Sequence, residues 1–377
     1  MLLNQYIQMY SADKNPASKI RALLWMPGGD RVPGGHYVQI QQTCKHLRFL
    51  DVDANISFAA DADVSGYDIV HGFGLGPKEV RYCRQRGLPV VLSTIYWNDY
   101  VTFRRGSSQQ WHTWEGRGRM GFVLLRSALQ GRHVEKCAAI TSKLQGQRVV
   151  FEMSDLLLPN SQMEADAIQA DLTTTTPYHV VPNAVDPTMF NPAATQGSIG
   201  RNHVLFVGRF EPHKNQLGLI EAMRGADIPT VLVGPPHPHH PAYYEHCKRQ
   251  ATKNITILPG VPQEKLAALY SAAKVHVLPS GFETTGLVSL EAALCGCNIV
   301  TTDRGYTREY FQDMAWYCDP YDPQSIRRAI EVAFHAPYKS DLRDHILSNY
   351  TWEHTAQATL AGYRMLISAR QETTHAR

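Results

Sequence analysis

Residues 275–292 read Val275-His276-Val277-Leu278-Pro279-Ser280-Gly281-Phe282-Glu283-Thr284-Thr285-Gly286-Leu287-Val288-Ser289-Leu290-Glu291-Ala292. Val275 to Leu278 is a short apolar run of buried-strand type that stops at Pro279. A loop with Gly281 and Gly286 follows, and a helical stretch runs from Leu287 to Cys295. Strand, glycine loop, helix is the unit of a parallel sheet covered by helices. The unit repeats upstream. Val204–Val207 precedes Gly208, Thr230–Val233 precedes Gly234, and Ile255–Leu258 precedes Gly260. A helix is expected over Gln263–Ala273, and Asn298–Thr301 is a fifth strand.

The first half has the same grammar. Ala22–Met26 ends in Pro27-Gly28-Gly29 and Pro33-Gly34-Gly35, after which Tyr37, Ile40, Cys44, Leu47 and Leu50 recur at helical steps. Asp68–His71, Leu88–Leu92, Asp155–Pro159 and His179–Pro182 read as further strands. The polar, turn-rich stretch 192–201 reads as a linker. The expected class is α/β, with two doubly wound, Rossmann-like domains facing across a cleft. The first covers 1–190 and the second 200–350, with a helix in 352–377 packing back on the first. Ligands of such sheets sit beyond the carboxyl ends of the strands.

The chain has 377 residues, 44% of them apolar, enough for two cores. A net charge of +3 argues against a dedicated nucleic-acid binder. No basic-then-apolar leader opens the sequence, and no run of about 18 apolar residues occurs. The seven cysteines are scattered and form no zinc-type pairs, as expected of reduced thiols in a cytoplasmic enzyme.

The loop before Leu287 carries chemistry. Backbone N–H groups at a helix start are free to meet phosphate, and the helix dipole favours anions there. Glu283 lies in the loop and Glu291 about a turn into the helix, so the two acids reach one ligand from different sides. Carboxylates that accept two hydroxyl hydrogen bonds suit a ribose or a sugar. An N-terminal cap with two solvent-facing acids gives the same letters. Arg209 and Lys214, just past the strand that ends at Gly208, can aim at one phosphate; an exposed basic loop is the plainer alternative.

This stretch resembles the donor-site signature of the retaining GT-B glycosyltransferases of family 4, a Glu, seven residues, then Glu. Gly208-Arg209 with Lys214-Asn215 is similar to that family's phosphate grip. Val181-Pro182-Asn183-Ala184-Val185-Asp186, the run Leu266–Pro279, Thr302–Gly305 with Glu309, and Thr351-Trp352-Glu353 match further segments in order. The resemblance is close over about 180–365 and loose over the first 160 residues. It implies the GT-B fold and a nucleotide-diphosphate-sugar donor, UDP- or GDP-linked, with no metal or other cofactor. It implies that Arg209 and Lys214 stabilise the leaving diphosphate, that Glu283 contacts the donor sugar and that Glu291 holds the ribose. Thr284, Thr285, Gly286 and Leu287 would offer backbone N–H groups, and Gly260 and Val261 would lie near the base. Gly34 and Gly35 would approach the phosphates from across the cleft, as a glycine loop can, though a generic turn gives the same letters.

The implied reaction is front-face retention, in which the departing phosphate takes the acceptor's proton. One departure stands out. Many members carry a His-Asp pair where this chain reads Ser93-Thr94-Ile95-Tyr96-Trp97-Asn98-Asp99. Tyr96, Trp97 or Asn98 would then shape the acceptor side, with His71 and Asn183 as other candidate contacts. Residues 101–150 hold nine Lys or Arg against two Glu. That stretch fits an anionic membrane surface, an acidic acceptor or a solvated face. The acceptor is left open: a glycan, a lipid-linked sugar, a small molecule or a modified nucleic-acid base. His237, His239 and His240 sit among prolines with no acid or cysteine to complete a metal site. A nucleotide-sugar epimerase or hydrolase on the same architecture, or a non-catalytic binding subunit, are the competing readings.

Overall fold

The computed structural model describes residues 19–29, 34–97, 134–191 and 201–375, the side chains of 134–143 and 373–375 excepted. Asn98, most of the basic 101–150 segment and nearly all of the 192–201 linker lie outside the described residues.

The first sheet contains β1 (Arg21–Trp25), β2 (Asp53–Ser57), β3 (Ile69–Phe73), β4 (Val90–Ser93) and β5 (Leu156–Leu158), all parallel, in the order β2-β1-β3-β4-β5. Helices α1 (Gly35–Phe49), α2 (Pro77–Gln85), α3 (Val134–Met153) and α4 (Gln162–Leu172) connect and flank it. β3 and β4 are buried along their whole length, as strands covered on both faces must be. The run His179–Pro182 is not a strand of its own. His179 and Val181 donate backbone hydrogen bonds to Leu157 and Pro159 beside β5, but Pro177 and Pro182 have no N–H to extend the ladder.

The second sheet contains β6 (Val204–Val207), β7 (Thr230–Val233), β8 (Ile255–Leu258), β9 (Val275–Leu278), β10 (Asn298–Thr302) and β11 (Trp316–Cys318). It is also all parallel, in the order β11-β10-β9-β6-β7-β8. Helices α5 (Gln216–Met223), α6 (Pro241–Gln250), α7 (Gln263–Ala272), α8 (Leu287–Leu294), α9 (Thr307–Phe311), α10 (Pro323–His335) and α11 (Ser340–Asn349) cover it. Val185 and Phe190 already pack in this second core. The last helix, α12 (Trp352–His375), lies against α1, and its Ala356, Leu360 and Tyr363 join the core of the first sheet.

Each sheet has one point where strand order reverses: between β1 and β3 in the first, between β6 and β9 in the second. The connections diverge there and leave a crevice at the carboxyl ends. Those four strand ends carry the glycine turn 34–35, the segment 74–76, Arg209 and the loop 279–286.

Candidate active site

The β6–β9 crevice brings Lys214 to Glu283, with Arg209 at the end of β6 and Glu291 on the helix after β9. After β6 the chain turns through Gly208, whose N–H is bound by Val233, and continues to Arg209. A short 3-10 turn, Pro212–Lys214, follows and ends at Asn215 in a left-handed conformation, φ +57°. The Asn215 side-chain amide donates to the Pro279 carbonyl at 3.1 Å, and Gly281 donates to the His213 carbonyl at 2.8 Å. These bonds clamp the Lys214 turn onto the end of β9. Asparagine is one of few residues that tolerate this conformation, which accounts for Asn215 after Lys214.

Lys214 Nζ donates to Glu283 Oε1 at 2.6 Å. Burial would raise the Glu283 carboxyl, but the charges of Lys214 and His213 outweigh it and hold it below the usual carboxylate range. Arg209 stands 3.8 Å from Glu211, which also faces His237 at 3.7 Å. Gly286 opens α8 at φ +77°, a backbone that side chains rarely adopt. Within α8, Glu291 is nearly enclosed and accepts the Tyr270 hydroxyl at 2.9 Å. Burial pushes its carboxyl up to about 7, against the hydrogen bonds from Tyr270 and Gln263. Thr284 and Leu287 are half-buried at the start of this helix, while Thr285 is enclosed. Gly260 is exposed beside Pro235 and Val261 packs against the core, both just past the end of β8.

The glycine turn of the first domain comes up against this wall. A Cβ on Gly34 would lie 3.3 Å from the Arg209 guanidinium, and one on Gly35 would lie 3.4 Å from Leu287 Cδ1.

The acceptor-side expectations fare differently. His71 is enclosed, with Nδ1 hydrogen-bonded to the Tyr363 hydroxyl and Nε2 to the Ser93 hydroxyl, each at 2.8 Å. Burial drives its ring down to about 3, so it is a neutral core histidine that ties α12 to the sheet. Tyr96 is also buried rather than lining an open pocket. Its N–H donates to Glu164 at 2.6 Å, its hydroxyl to Asp171 at 3.1 Å, and its carbonyl accepts the Tyr306 hydroxyl at 3.0 Å. Trp97 crosses to the second domain, its ring 4.4 Å from that of His213 and 6.2 Å from that of Phe282. Asn183 is enclosed and binds the Tyr310 hydroxyl through its N–H and Thr285 through its side-chain amide, both at 3.0 Å. Tyr96 and Asn183 therefore join the two domains.

Two further acids belong to that junction. Glu164 is enclosed and accepts from the Thr94 hydroxyl and from the N–H of Tyr96 and Asn160. Burial raises it to about 8, against those three bonds. Glu309, on α9 of the second domain, accepts from Gln162 N at 2.7 Å and Met163 N at 2.8 Å, and so caps α4 of the first. The Ser161-x-x-Glu164 spacing marks the start of α4 in the sequence, but nothing local announces a cap supplied 147 residues away.

Residues 193–350 match the family model described as glycosyl transferases group 1. The match covers less than half of the chain and lies in its second domain. The matched segment contains β6 through β11 and every residue expected on the donor side except Gly34 and Gly35. Curated relatives extend the match. A D-inositol 3-phosphate glycosyltransferase of Segniliparus rotundus is 28% identical over 60% of this chain and 55% of its own. An alpha-maltose-1-phosphate synthase of Mycolicibacterium smegmatis is 26% identical over 74% and 76%. The chain spans about half the length of two D-inositol 3-phosphate glycosyltransferases that it matches (55% and 51%). Among solved structures, sucrose-phosphate synthase from Thermosynechococcus elongatus superposes with a TM-score of 0.72 at 16% identity, covering 93% of this chain and 100% of that one. An Anabaena protein, HepE, solved with UDP and glucose, gives 0.58 at 15% identity over 95% and 99%. The fold around the group 1 domain is GT-B, as the resemblance implies.

Proposed function

We propose that the protein moves a sugar from a nucleoside-diphosphate sugar to an acceptor hydroxyl with retention of configuration. The observation that carries this is the Lys214–Glu283 pair at the β6–β9 crevice, with Arg209 just past the end of β6 and approached from the first domain by Gly34. The C1–O bond to the diphosphate breaks, the acceptor oxygen bonds to C1 on the same face, and the acceptor proton passes to the released phosphate oxygen. Negative charge grows on that phosphate, and Lys214 and Arg209 meet it there. Preorganised charge of this kind is usually the largest catalytic term, roughly 3–4 kcal/mol per donor lost. Glu283 anchors Lys214 and receives the sugar hydroxyls, while Glu291 receives the ribose. Two cations already face the diphosphate, so the reading requires no metal. A complex with UDP-glucose in an Anabaena protein of similar fold, HepE, favours a uridine carrier. The six cysteines among the described residues are buried and free, in keeping with a cytoplasmic setting.

A thermal-shift and calorimetric panel of UDP-, GDP-, ADP- and dTDP-sugars tests the donor, and NMR of the product's anomeric proton tests retention. Absence of binding by the whole panel removes the reading. An inverted product removes the front-face mechanism alone, and loss of turnover in EDTA removes metal independence.

A further inference from the structure

Phe282 and Tyr306 stand on loops of the second domain, yet both pack into the core of the first sheet, in one cluster with Leu92, Tyr96 and Phe151. Half-buried Trp97, on the segment that leaves β4, packs against that cluster. Its ring lies 4.4 Å from that of His213 and 6.2 Å from that of Phe282, the latter with the ring planes 27° apart. His213 directly precedes Lys214, and Phe282 directly precedes Glu283. One first-domain indole thus lies against the chain neighbour of each member of the Lys214–Glu283 pair.

Backbone bonds tie those neighbours to the pair. The Glu283 N–H donates to the Arg304 carbonyl at 3.1 Å, and the Glu283 carbonyl accepts from Tyr306 at 2.9 Å. The Tyr306 ring meets Phe282 edge-on at 5.2 Å, and its hydroxyl binds the carbonyl of Tyr96. Lys214 sits on a three-residue 3-10 turn, whose hydrogen bonds are poorly aligned, and its four-carbon stem is flexible. Asn215 steadies that turn from within the second domain, and Trp97 meets it from the first. Trp97 has a firm base, because Tyr96 before it is bound to Glu164 and Asp171 of α4.

We propose that Trp97 is a positioning residue for the transfer step: its indole, brought across by the first domain, sets where Lys214 and Glu283 stand. This rests on the transfer reaction proposed above. An indole suits the task, since it offers a large rigid face with only two side-chain torsions to fix. A support inside the second domain would hold the pair whether or not the first domain had docked. One supplied from across the junction makes the placement of Lys214 depend on docking. Affinity for the nucleoside diphosphate then rests on second-domain groups, while turnover also needs Trp97.

Six proteins test it: wild type, Trp97→Phe, Trp97→Ala, Lys214→Met, the Trp97→Ala/Lys214→Met double variant, and Tyr82→Ala. Tyr82 is half-buried against the same core but packs on Trp25, so its loss reports a purely structural cost. Turnover per folded molecule is read as nucleoside diphosphate released from the UDP-, GDP-, ADP- or dTDP-glucose that raises the melting temperature most, with water as acceptor. Affinity for the same nucleoside diphosphate is read by calorimetry. Trp97→Ala should lower kcat about tenfold, since misplacing a positioned group by about 1 Å costs up to 10²-fold, and should leave that affinity within about twofold. Trp97→Phe should keep kcat within about threefold of wild type, and Tyr82→Ala should leave it unchanged. In the Lys214→Met background Trp97→Ala should cost no further turnover, because two residues that act as one unit do not add. Carbon-13 NMR of the Glu283 carboxyl, assigned by the signal lost in Glu283→Gln, reads the pair directly. Its titration lies below the usual carboxylate range in the wild type and should move up toward that range in Trp97→Ala. An unchanged kcat in Trp97→Ala, an equal further loss in the Lys214→Met background, or an unchanged Glu283 titration overturns the positioning role. Wild-type protein that binds no nucleoside diphosphate removes the transfer reading instead, and the Glu283 titration then decides alone whether Trp97 places the pair.

Discussion

Replacing Lys214 by methionine separates its observed pairing with Glu283 from the catalytic role proposed for it. Lys214 reaches Glu283 at 2.6 Å, and the Glu283 side chain is only 9% exposed. Removing the cation leaves a buried carboxylate without its charge partner, a change that costs about 3–5 kcal/mol when nothing relaxes. Part of that is recovered by protonation. In the wild type the folded-state carboxyl sits below its unfolded value, so the pair stabilises above the unfolded pKa and that stability fades as pH falls through the folded one. Without Lys214 the burial contribution is left to dominate and the shift reverses. The variant should therefore be least stable at neutral pH and should recover toward wild type as pH falls below the usual glutamate range. Adding Glu283→Gln removes the stranded charge and should bring stability back to within about 1–2 kcal/mol of wild type. Turnover should follow the other role. Loss of a cation from the leaving diphosphate costs roughly 3–4 kcal/mol, or 10²- to 10³-fold in kcat, and the second substitution cannot restore it. Urea denaturation at several pH values and steady-state transfer read the two roles independently. If the double variant regained turnover along with stability, Lys214 would be a structural partner of Glu283 and its catalytic role would be wrong.

Glu291→Gln should raise donor KM and remove a pH dependence in donor affinity between about pH 6 and 8, because the wild-type carboxyl titrates near 7 and its ionised form accepts ribose hydroxyls best. Its raised pKa also means that wild-type stability falls as pH climbs from the usual glutamate value toward 7; the Gln variant should lack that slope. Glu309→Ala should cost about 0.5–2 kcal/mol as a lost cap and speed hydrogen exchange at Gln162 and Met163, with normal exchange there refuting the interdomain cap. His71→Phe should lower stability by leaving the Ser93 and Tyr363 hydroxyls without their shared partner, while turnover per folded molecule stays at wild type. A large rise in acceptor KM there would return His71 to the acceptor side.

The wall of the β6–β9 crevice was legible in the sequence because it is made of local order: strand, glycine, helix, with Arg209, Lys214, Glu283 and Glu291 at fixed steps from strand ends. The buried β strands 204–207, 230–233 and 275–278 stand where their apolar runs place them. What stayed hidden is long-range. β2 and β11 are edge strands, one reading Asp-Ala-Asn-Ile-Ser and the other only three residues long, and pairing to β1 and β10 defines them. His71 looked like a strand-end polar contact because nothing in the neighbouring letters shows that Tyr363, 292 residues on, closes over it. Tyr96 and Asn183 were placed on the acceptor side for the same reason: their partners Tyr306, Tyr310 and Thr285 come from the other domain.

The glycine turn at the β1 end gives the sharpest test of how the two crevices meet. Gly34 caps α1 with φ −160°, extended backbone that any residue adopts, so its requirement is space rather than conformation. A Cβ there falls 3.3 Å from the Arg209 guanidinium, tighter than ordinary contact, whereas one on Gly35 falls at an ordinary 3.4 Å from Leu287. The guanidinium is the mobile end of a long side chain, so Gly34→Ala should shift it by tenths of an ångström rather than break the fold. Displacement of about 1 Å in a positioned group costs up to 10²-fold, so a shift of this size should lower kcat about tenfold. Alanine is also a poor helix cap, and part of any stability loss would come from that. Gly34→Ser separates the two effects, because serine restores the cap but carries the same Cβ. Stability should return in the serine variant while kcat stays low, and Gly35→Ala should leave kcat within about twofold of wild type. If the serine variant regained turnover as well, the contact with Arg209 would carry no catalytic weight, and the turn would serve α1 alone.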